Sequence, residues 1–190
     1  MMLSREDILR GLTKLDARAR EAGILIDMAV YGGSAMAMIF DSSRATRDVD
    51  AVVRGNTAFV RDAAAAIAEE EGWPTDWLND GVKGFLSAHN DLEPSDEFTG
   101  DAGAGLRLSL PVPEYLFAMK CMAMRSAAEG ASDRSDIQTL LGLISLKDTE
   151  DALSLVEKFY PRNQIPAKVR FGIEEIMEEF LAHRRGPAPE

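Results

Sequence analysis

The sequence has little of several residue types, and each shortage excludes a class of protein. Its 190 residues include one cysteine, Cys121, which excludes an internal disulfide framework. No apolar run reaches the roughly 18 residues that a membrane-spanning helix needs, and the first residues lack the apolar core of a signal peptide. We therefore expect a soluble, cytoplasmic protein with no membrane partner. Cys121 is expected to be a buried packing residue and not a nucleophile.

Positive charge is also scarce. The chain has 21 lysines and arginines against 32 aspartates and glutamates, which gives a net charge of −11 at pH 7. A strongly acidic surface repels phosphate backbones, which argues against broad nucleic-acid binding but leaves a local basic site open. Histidine is rare too, and neither His89 nor His183 has a second ligand at metal-binding spacing, so neither is assigned a role.

Apolar residues are plentiful, at 46% of the chain, and their periodicity predicts an α/β half over 1–112 and a helical half over 113–184. The first half contains predicted helices over 4–23, 34–40 and 56–72, the last capped by Asn56, and predicted strands over 24–30, 47–53 and 106–112. Residues 73–105 are interpreted as irregular. The second half contains predicted helices over 113–128, 132–146, 148–160 and 166–183, and a disordered tail is expected over 185–190.

One stretch, GGSAMAMIFDSSRATRDVDAVV at 32–53, combines an apolar run with clustered charges. Asp48 and Asp50 are two residues apart in a predicted strand, so their side chains share one face while Val49 points into the core. Two carboxylates this close repel each other unless a cation lies between them. Mg²⁺, or Mn²⁺ in its place, is bound by one or two carboxylates together with substrate phosphates. The pair is therefore a candidate metal site.

The glycines that open the same stretch supply a candidate phosphate site. Gly32 and Gly33 form a predicted tight turn that lets the backbone approach a ligand, and Ser34 is predicted to cap the short helix that follows. The first amides of that helix favour an anion, and Arg44 can neutralise further phosphate charge. Taken singly, each feature is better explained as an ordinary turn or a solvated strand face; their combination favours a metal–phosphate site.

These residues resemble the signature of a known superfamily. Gly32-Gly33-Ser34, followed after about a dozen residues by Asp48-Val49-Asp50, is similar to the polymerase-β-like nucleotidyltransferases. The fuller string more specifically resembles the minimal nucleotidyltransferases related to AbiEii-type toxins, in which R-x-T-x-D-x-D recurs. That pattern is filled residue by residue by Arg44, Thr46, Asp48 and Asp50.

Two helical motifs extend the resemblance, which reaches from about Val30 to Leu143. PEYLFAMKCMAMR implies that Lys120 is a substrate-binding lysine, and SDRSDIQTLL implies that Asp133 and Asp136 are the family's downstream aspartates. From the residues alone, Lys120 is better explained as a solvated lysine, and for the two aspartates a helix-dipole role competes with a role in the site. In the same way, Trp77 could stack on a base but is better explained as a core anchor.

The resemblance implies a nucleotidyltransferase fold: an α/β mixed sheet flanked by helices, with a C-terminal helical bundle packed on it. It implies transfer of a nucleotidyl group from an NTP to an RNA or protein hydroxyl, and a toxin with a cognate antitoxin as partner. The implied catalytic residues are Asp48, Asp50 and Lys120, and the implied nucleotide-binding residues are Gly32, Gly33, Ser34, Arg44, Thr46, Asp133 and Asp136.

One departure leaves an alternative open. The wider superfamily usually supplies a third carboxylate from a later strand, but here the candidate strand LRLSL offers Arg107 and Ser109. The alternative is a catalytically silent member of the fold that binds a nucleotide or a partner protein.

Overall fold

The computed structural model describes residues 1–40, 45–125 and 131–185, which form two compact units. One unit comprises Met1–Gly84 and Leu92–Pro111, and the other comprises Phe85–Asp91 and Val112–Glu190. We call them the sheet unit and the helical unit.

The sheet unit alternates helices with the strands of one five-stranded sheet. In chain order its elements are α1 (Arg5–Glu21), β1 (Leu25–Val30), α2 (Gly32–Ile39), β2 (Val49–Arg54), α3 (Thr57–Glu71), β3 (Leu78–Asn79), β4 (Leu92–Thr99) and β5 (Gly105–Pro111). The strand order is β3-β2-β1-β5-β4. β1 is antiparallel to β2 and parallel to β5, β2 is parallel to β3, and β4 is antiparallel to β5. The prediction of a mixed sheet flanked by helices is confirmed.

Helix α1 covers the sheet with one apolar face. Ser4 and Asp7 form the capping box that starts it, because the Ser4 hydroxyl accepts from the Asp7 amide and the Asp7 carboxylate accepts from the Ser4 amide. Ile8, Leu12 and Leu15 then recur at helical spacing and are fully buried. This face packs on β1 and β5, and α1 also packs beside α3.

The two tryptophans, Trp73 and Trp77, are buried in the core of this unit. Trp77 is fully buried and donates its indole N–H to the Ala64 carbonyl at 2.9 Å, and its ring lies edge-on to Trp73 with 5.2 Å between centroids. Both rings lie against Gly11 of α1, and a side chain at this position would clash because its Cβ would lie 2.7 Å from the Trp77 ring. The core interpretation of Trp77 is therefore confirmed.

Two local predictions in this unit are wrong, the second only in part. The interval 73–105 contains strand β4, which carries Pro94, is largely exposed and is held by pairing with β5. An exposed edge strand needs no hydrophobic alternation, so the sequence gives no strand pattern there. Asn56 is the N-cap residue of α3, as predicted, but it has a left-handed backbone and its side chain donates to the Leu25 carbonyl and makes no capping bond.

The helical unit contains α4 (Pro113–Ala123), α5 (Ala131–Leu141), α6 (Thr149–Phe159) and α7 (Ala167–Arg185). Cys121 is fully buried, as predicted, and burial raises the pKa of its thiol. The Tyr115 hydroxyl ties the 85–91 segment to α4 by accepting from the Ser87 amide and donating to Asn90. The helix predicted over 113–128 is too long, because α4 ends at Ala123 with Met124 as its C-cap residue. The tail predicted as disordered over 185–190 starts at Arg185, which is the last residue of α7, and its other residues lie outside the described residues. Along the described parts of the chain, no helix is both long and apolar enough to cross a membrane.

Candidate functional site

The site is built where β1 ends and α2 begins. Gly32 has a left-handed backbone, with φ of +63°, which favours glycine. It also leaves no room for a side chain, because a Cβ there would lie 2.8 Å from Asp50 Oδ2. The first amides of a helix have no acceptor within the helix, and in α2 they belong to Gly32, Gly33 and Ser34. The turn and the Asp50 carboxylate thus meet, as the spacing predicted.

The role predicted for Ser34 as a helix cap is wrong. Helix α2 already begins at Gly32 with Tyr31 as its N-cap residue, and no side chain caps it. Ser34 lies inside the first turn, is 1% exposed, and donates its hydroxyl to the Tyr31 carbonyl at 2.8 Å. A serine in a first helical turn can satisfy a backbone carbonyl in this way, so only its main-chain amide remains for a phosphate.

The two acidic residues flank the first residue of β2. Val49 is fully buried, whereas Asp48 and Asp50 on either side of it are both partly exposed. Strand alternation therefore turns both carboxylates away from the core. The neighbouring strand β3 places Asn79 opposite Asp50, and Asn79 Nδ2 donates to Asp48 Oδ2 at 2.8 Å.

Thr46 reaches the glycine turn through a long-range contact. Its backbone forms an isolated bridge with Leu3, whose side chain is buried. The two amide-to-carbonyl distances of this bridge are 2.6 and 2.9 Å. The bridge places the Thr46 hydroxyl so that a Cβ on Gly33 would lie 2.8 Å from it. Gly32, Gly33, Thr46 and Asp50 therefore form one cluster in the sheet unit. Arg44, the first residue of the R-x-T-x-D-x-D pattern, lies outside the described residues.

Sequence reasoning missed two residues of this cluster. Asn79 Oδ1 accepts from the Gly81 amide at 2.8 Å, and this bond folds the chain so that a Cβ on Gly81 would lie 3.5 Å from Asp50 Oδ1. The sequence WLNDG contains a turn motif but gives no sign that it ends beside the acidic pair. That placement comes from the pairing of β3, which spans only Leu78–Asn79.

The register shows what occupies the place of a third carboxylate. Val52 shares the face of Asp50 on β2; Ala29 pairs with Val52, and Ser109 of β5 pairs with Ala29. Ser109 is therefore one of the β5 residues on that face, level with Val52. Arg107, two residues earlier, pairs with Asp27 at 3.0 Å. Among the described residues, no group of three or more acidic, histidine or cysteine side chains is arranged to hold a metal ion.

The remaining predicted site residues lie in the helical unit, between α4 and α5. Lys120 Nζ is 2.6 Å from Asp136 Oδ2, and the two side chains are only 12% and 10% exposed. Asp133 accepts from Arg125 at 3.0 and 3.4 Å. The interpretation of Lys120 as a solvated lysine is therefore wrong. The two aspartates are ion-pair partners, which is more than a helix-dipole role requires.

Three comparisons with known proteins gave one structural likeness. No protein-family model matches the chain, and no curated protein matches it. The chain is similar to a solved structure described as an antigenic nucleotidyltransferase-like protein from Paracoccidioides brasiliensis. That likeness covers 92% of this chain and 95% of the other, with 13% sequence identity and a TM-score of 0.49.

Proposed function

We propose that the sheet unit is the catalytic core of a metal-dependent nucleotidyltransferase. The observation that carries the proposal is the contact between the Asp50 carboxylate and Gly32 at the first turn of α2. It joins a carboxylate pair to an amide-lined turn, which are the two halves of a site for a nucleoside triphosphate with its metal. The resemblance of the 32–53 stretch to the nucleotidyltransferases supports the same function.

The donor set fits Mg²⁺ or Mn²⁺. Carboxylate oxygens are the ligands that hard divalent ions prefer, and Asp48 and Asp50 present them from one partly exposed strand end. Gly32 and Gly81 keep the surroundings of Asp50 clear of side-chain bulk. Asp48 and Asp50 would hold the ion, which when bound neutralises triphosphate charge.

In the proposed mechanism the main-chain amides of Gly33 and Ser34 bind phosphate oxygens and orient the triphosphate. An acceptor hydroxyl oxygen forms a bond to the α-phosphorus, the bond from that phosphorus to the α,β-bridging oxygen breaks, and pyrophosphate leaves with that oxygen. Asp50 accepts the proton of the hydroxyl. The substrate-binding roles of Arg44, Thr46, Lys120, Asp133 and Asp136 stay predictions that rest on the resemblance.

The acceptor and the biological role belong to the same proposal. We infer an RNA or protein hydroxyl as acceptor, and an AbiEii-related toxin with a cognate antitoxin as partner, from the R-x-T-x-D-x-D pattern. The net charge of −11 favours a protein or a short RNA end over a long RNA, because phosphate backbones are repelled.

Label transfer tests the proposal. The full chain is incubated with α-labelled NTPs, Mg²⁺ and either total RNA or a cell protein extract. We expect labelled product with the wild type, and at least about a 100-fold loss with Asp50→Asn. Asp62→Asn is the matched control, since Asp62 is an exposed residue of α3 that pairs with its sequence neighbour Arg61. Equal transfer by Asp50→Asn and Asp62→Asn would contradict the proposal.

A second function is favoured by one observation. The face of β5 that continues the face of Asp50 carries Arg107 and Ser109 and no acidic residue. A silent member of the fold would bind NTP and transfer nothing, and its role would lie in nucleotide or partner binding. NTP binding that depends on Asp50, measured by calorimetry without any label transfer, would select this function.

A further inference from the structure

The orientation of the Asn79 side chain is determined by its partners. The Gly81 amide is a donor, so the atom 2.8 Å from it is the oxygen Oδ1. The nitrogen Nδ2 faces two acceptors, the Asp48 carboxylate at 2.8 Å and the Asp76 carbonyl at 3.3 Å. Each polar atom of the amide therefore has a partner of the opposite kind, and turning the amide over would lose all three bonds.

Through these bonds Asn79 contacts the surroundings of both acids. It donates directly to Asp48. Asn79 also pairs with Asp50 in the β2–β3 register. Its bond to the Gly81 amide places Gly81, a residue without a side chain, next to the Asp50 carboxylate. The side chain of Asp50 is thus bordered by glycine on two sides, at Gly32 and at Gly81.

We propose that Asn79 is a positioning residue for the acidic pair. Its N–H fixes the Asp48 carboxylate beside β2 and offsets part of the repulsion between the two acids, so that they are held as a pair before any ligand arrives. Hydrogen-bond partners behind metal ligands act in this way, and their loss typically weakens metal binding by about 10- to 100-fold. The inference rests on the proposed function, because it assigns Asn79 to the metal site assumed there.

Two substitutions separate positioning from a purely structural turn. Asn79→Ala removes every bond of the side chain. Asn79→Asp keeps the acceptor for the Gly81 amide and the shape of the side chain, but it replaces the N–H that faces Asp48 by a carboxylate oxygen. Asn56→Asp is the matched control: it makes the same chemical change at an asparagine of the same unit, whose Nδ2 donates to the Leu25 carbonyl.

Two quantities are measured for the full chain. Mn²⁺ binding is monitored through the electron paramagnetic resonance signal of the free ion, and the melting temperature is measured with and without Mn²⁺. We expect Asn79→Ala to bind Mn²⁺ about 10- to 100-fold more weakly than wild type. Asn79→Asp should melt lower than wild type without metal and gain more from added Mn²⁺, because the ion relieves the new repulsion. Asn56→Asp should bind Mn²⁺ as the wild type does.

The outcomes distinguish the two levels of the proposal. Mn²⁺ binding by the wild type that Asn79→Ala leaves unchanged overturns the positioning role alone. Wild-type behaviour of Asn79→Asp in both measurements does the same, since it would show that only the turn matters. Absence of Mn²⁺ binding by the wild type overturns the proposed metal site and the positioning role together.

Discussion

Replacing Asp136 by asparagine removes the charge that faces Lys120 between α4 and α5. The ammonium and the carboxylate are 2.6 Å apart, and both side chains are nearly buried, at 12% and 10% exposure. Removing one partner of a buried pair leaves the other charge without compensation, which typically costs about 3–5 kcal/mol. For a chain of this length that loss lowers the melting temperature by roughly 6–20 °C.

An exposed pair in the same unit provides the matched control. The carboxylate of Asp91 and the ammonium of Lys158 are 3.0 Å apart, but their side chains are 44% and 59% exposed. Asp91→Asn makes the same chemical change, and it should cost at most about 1 kcal/mol because water screens the pair. Urea unfolding followed by circular dichroism compares the free energies of unfolding of the two variants.

A double-mutant cycle completes the test. Lys120→Met/Asp136→Asn leaves no unpaired charge, so it should be more stable than either single variant. If Asp136→Asn costs no more than Asp91→Asn, or if the double variant is the least stable of the three, the reasoning is refuted. Lys120 would then be the solvated lysine that its sequence neighbours suggest. The cycle also matters for function, because activity lost in a Lys120 variant could come from the broken pair alone.

Three further predictions concern other parts of the fold. Gly32 and Gly23 both have a left-handed backbone, with φ of +63° and +65°, so replacing either by alanine should cost about 1–2 kcal/mol of stability. Of these two glycines only Gly32 lies beside Asp50, so Gly32→Ala should weaken Mn²⁺ binding and Gly23→Ala should not. Hydrogen bonds from the Ser4 amide and the Ser4 hydroxyl hold the pKa of the Asp7 carboxyl below its ordinary value of 3.8. Because this pKa is lower in the folded state than in the unfolded state, the ionised carboxylate stabilises the fold fully at pH values above the unfolded-state pKa. That stabilisation is lost as the pH falls through the folded-state pKa. Asp7→Asn should thus cost about 1 kcal/mol at pH 7, and its urea midpoint should approach that of the wild type in strong acid. Tyr115→Phe should cost about 1–3 kcal/mol in urea unfolding, because the Ser87 amide and Asn90 lose their shared partner.

The fold was predictable wherever burial leaves a pattern in the sequence. Ile8, Leu12 and Leu15 recur at helical spacing because one face of α1 covers the sheet. Strand β1 could be recognised from its aliphatic content because most of it is buried. Strand β4 could not, because an edge strand held by backbone bonds to β5 places few requirements on its side chains.

In the candidate site, too, some contacts could be predicted from the sequence and others could not. The meeting of Asp50 with Gly32 was predictable, since antiparallel pairing of β1 with β2 brings the start of one strand to the end of the other. Thr46 reaches Gly33 through a bridge to Leu3, and Asn79 reaches Asp48 through a two-residue strand. Such contacts join distant segments of the chain, and no local composition or periodicity records them. The start of α2 gives a smaller example, because Ser34 donates to the Tyr31 carbonyl and resembles a cap residue in sequence only.

The charges around β2 connect the positioning role of Asn79 with the choice between the two proposed functions. Asp48 and Asp50 bring two carboxylates to the site, and Asn79, which donates to Asp48, carries no charge. Two carboxylates suffice for one hard ion when substrate phosphates complete its coordination. A second ion held between protein and substrate would need a further protein ligand, and β5 offers no carboxylate for it. An enzyme built on this set must therefore draw more of its transition-state stabilisation from fixed geometry. A neutral amide that holds Asp48 in place without adding repulsion provides such geometry, and a silent nucleotide-binding protein would have little use for it.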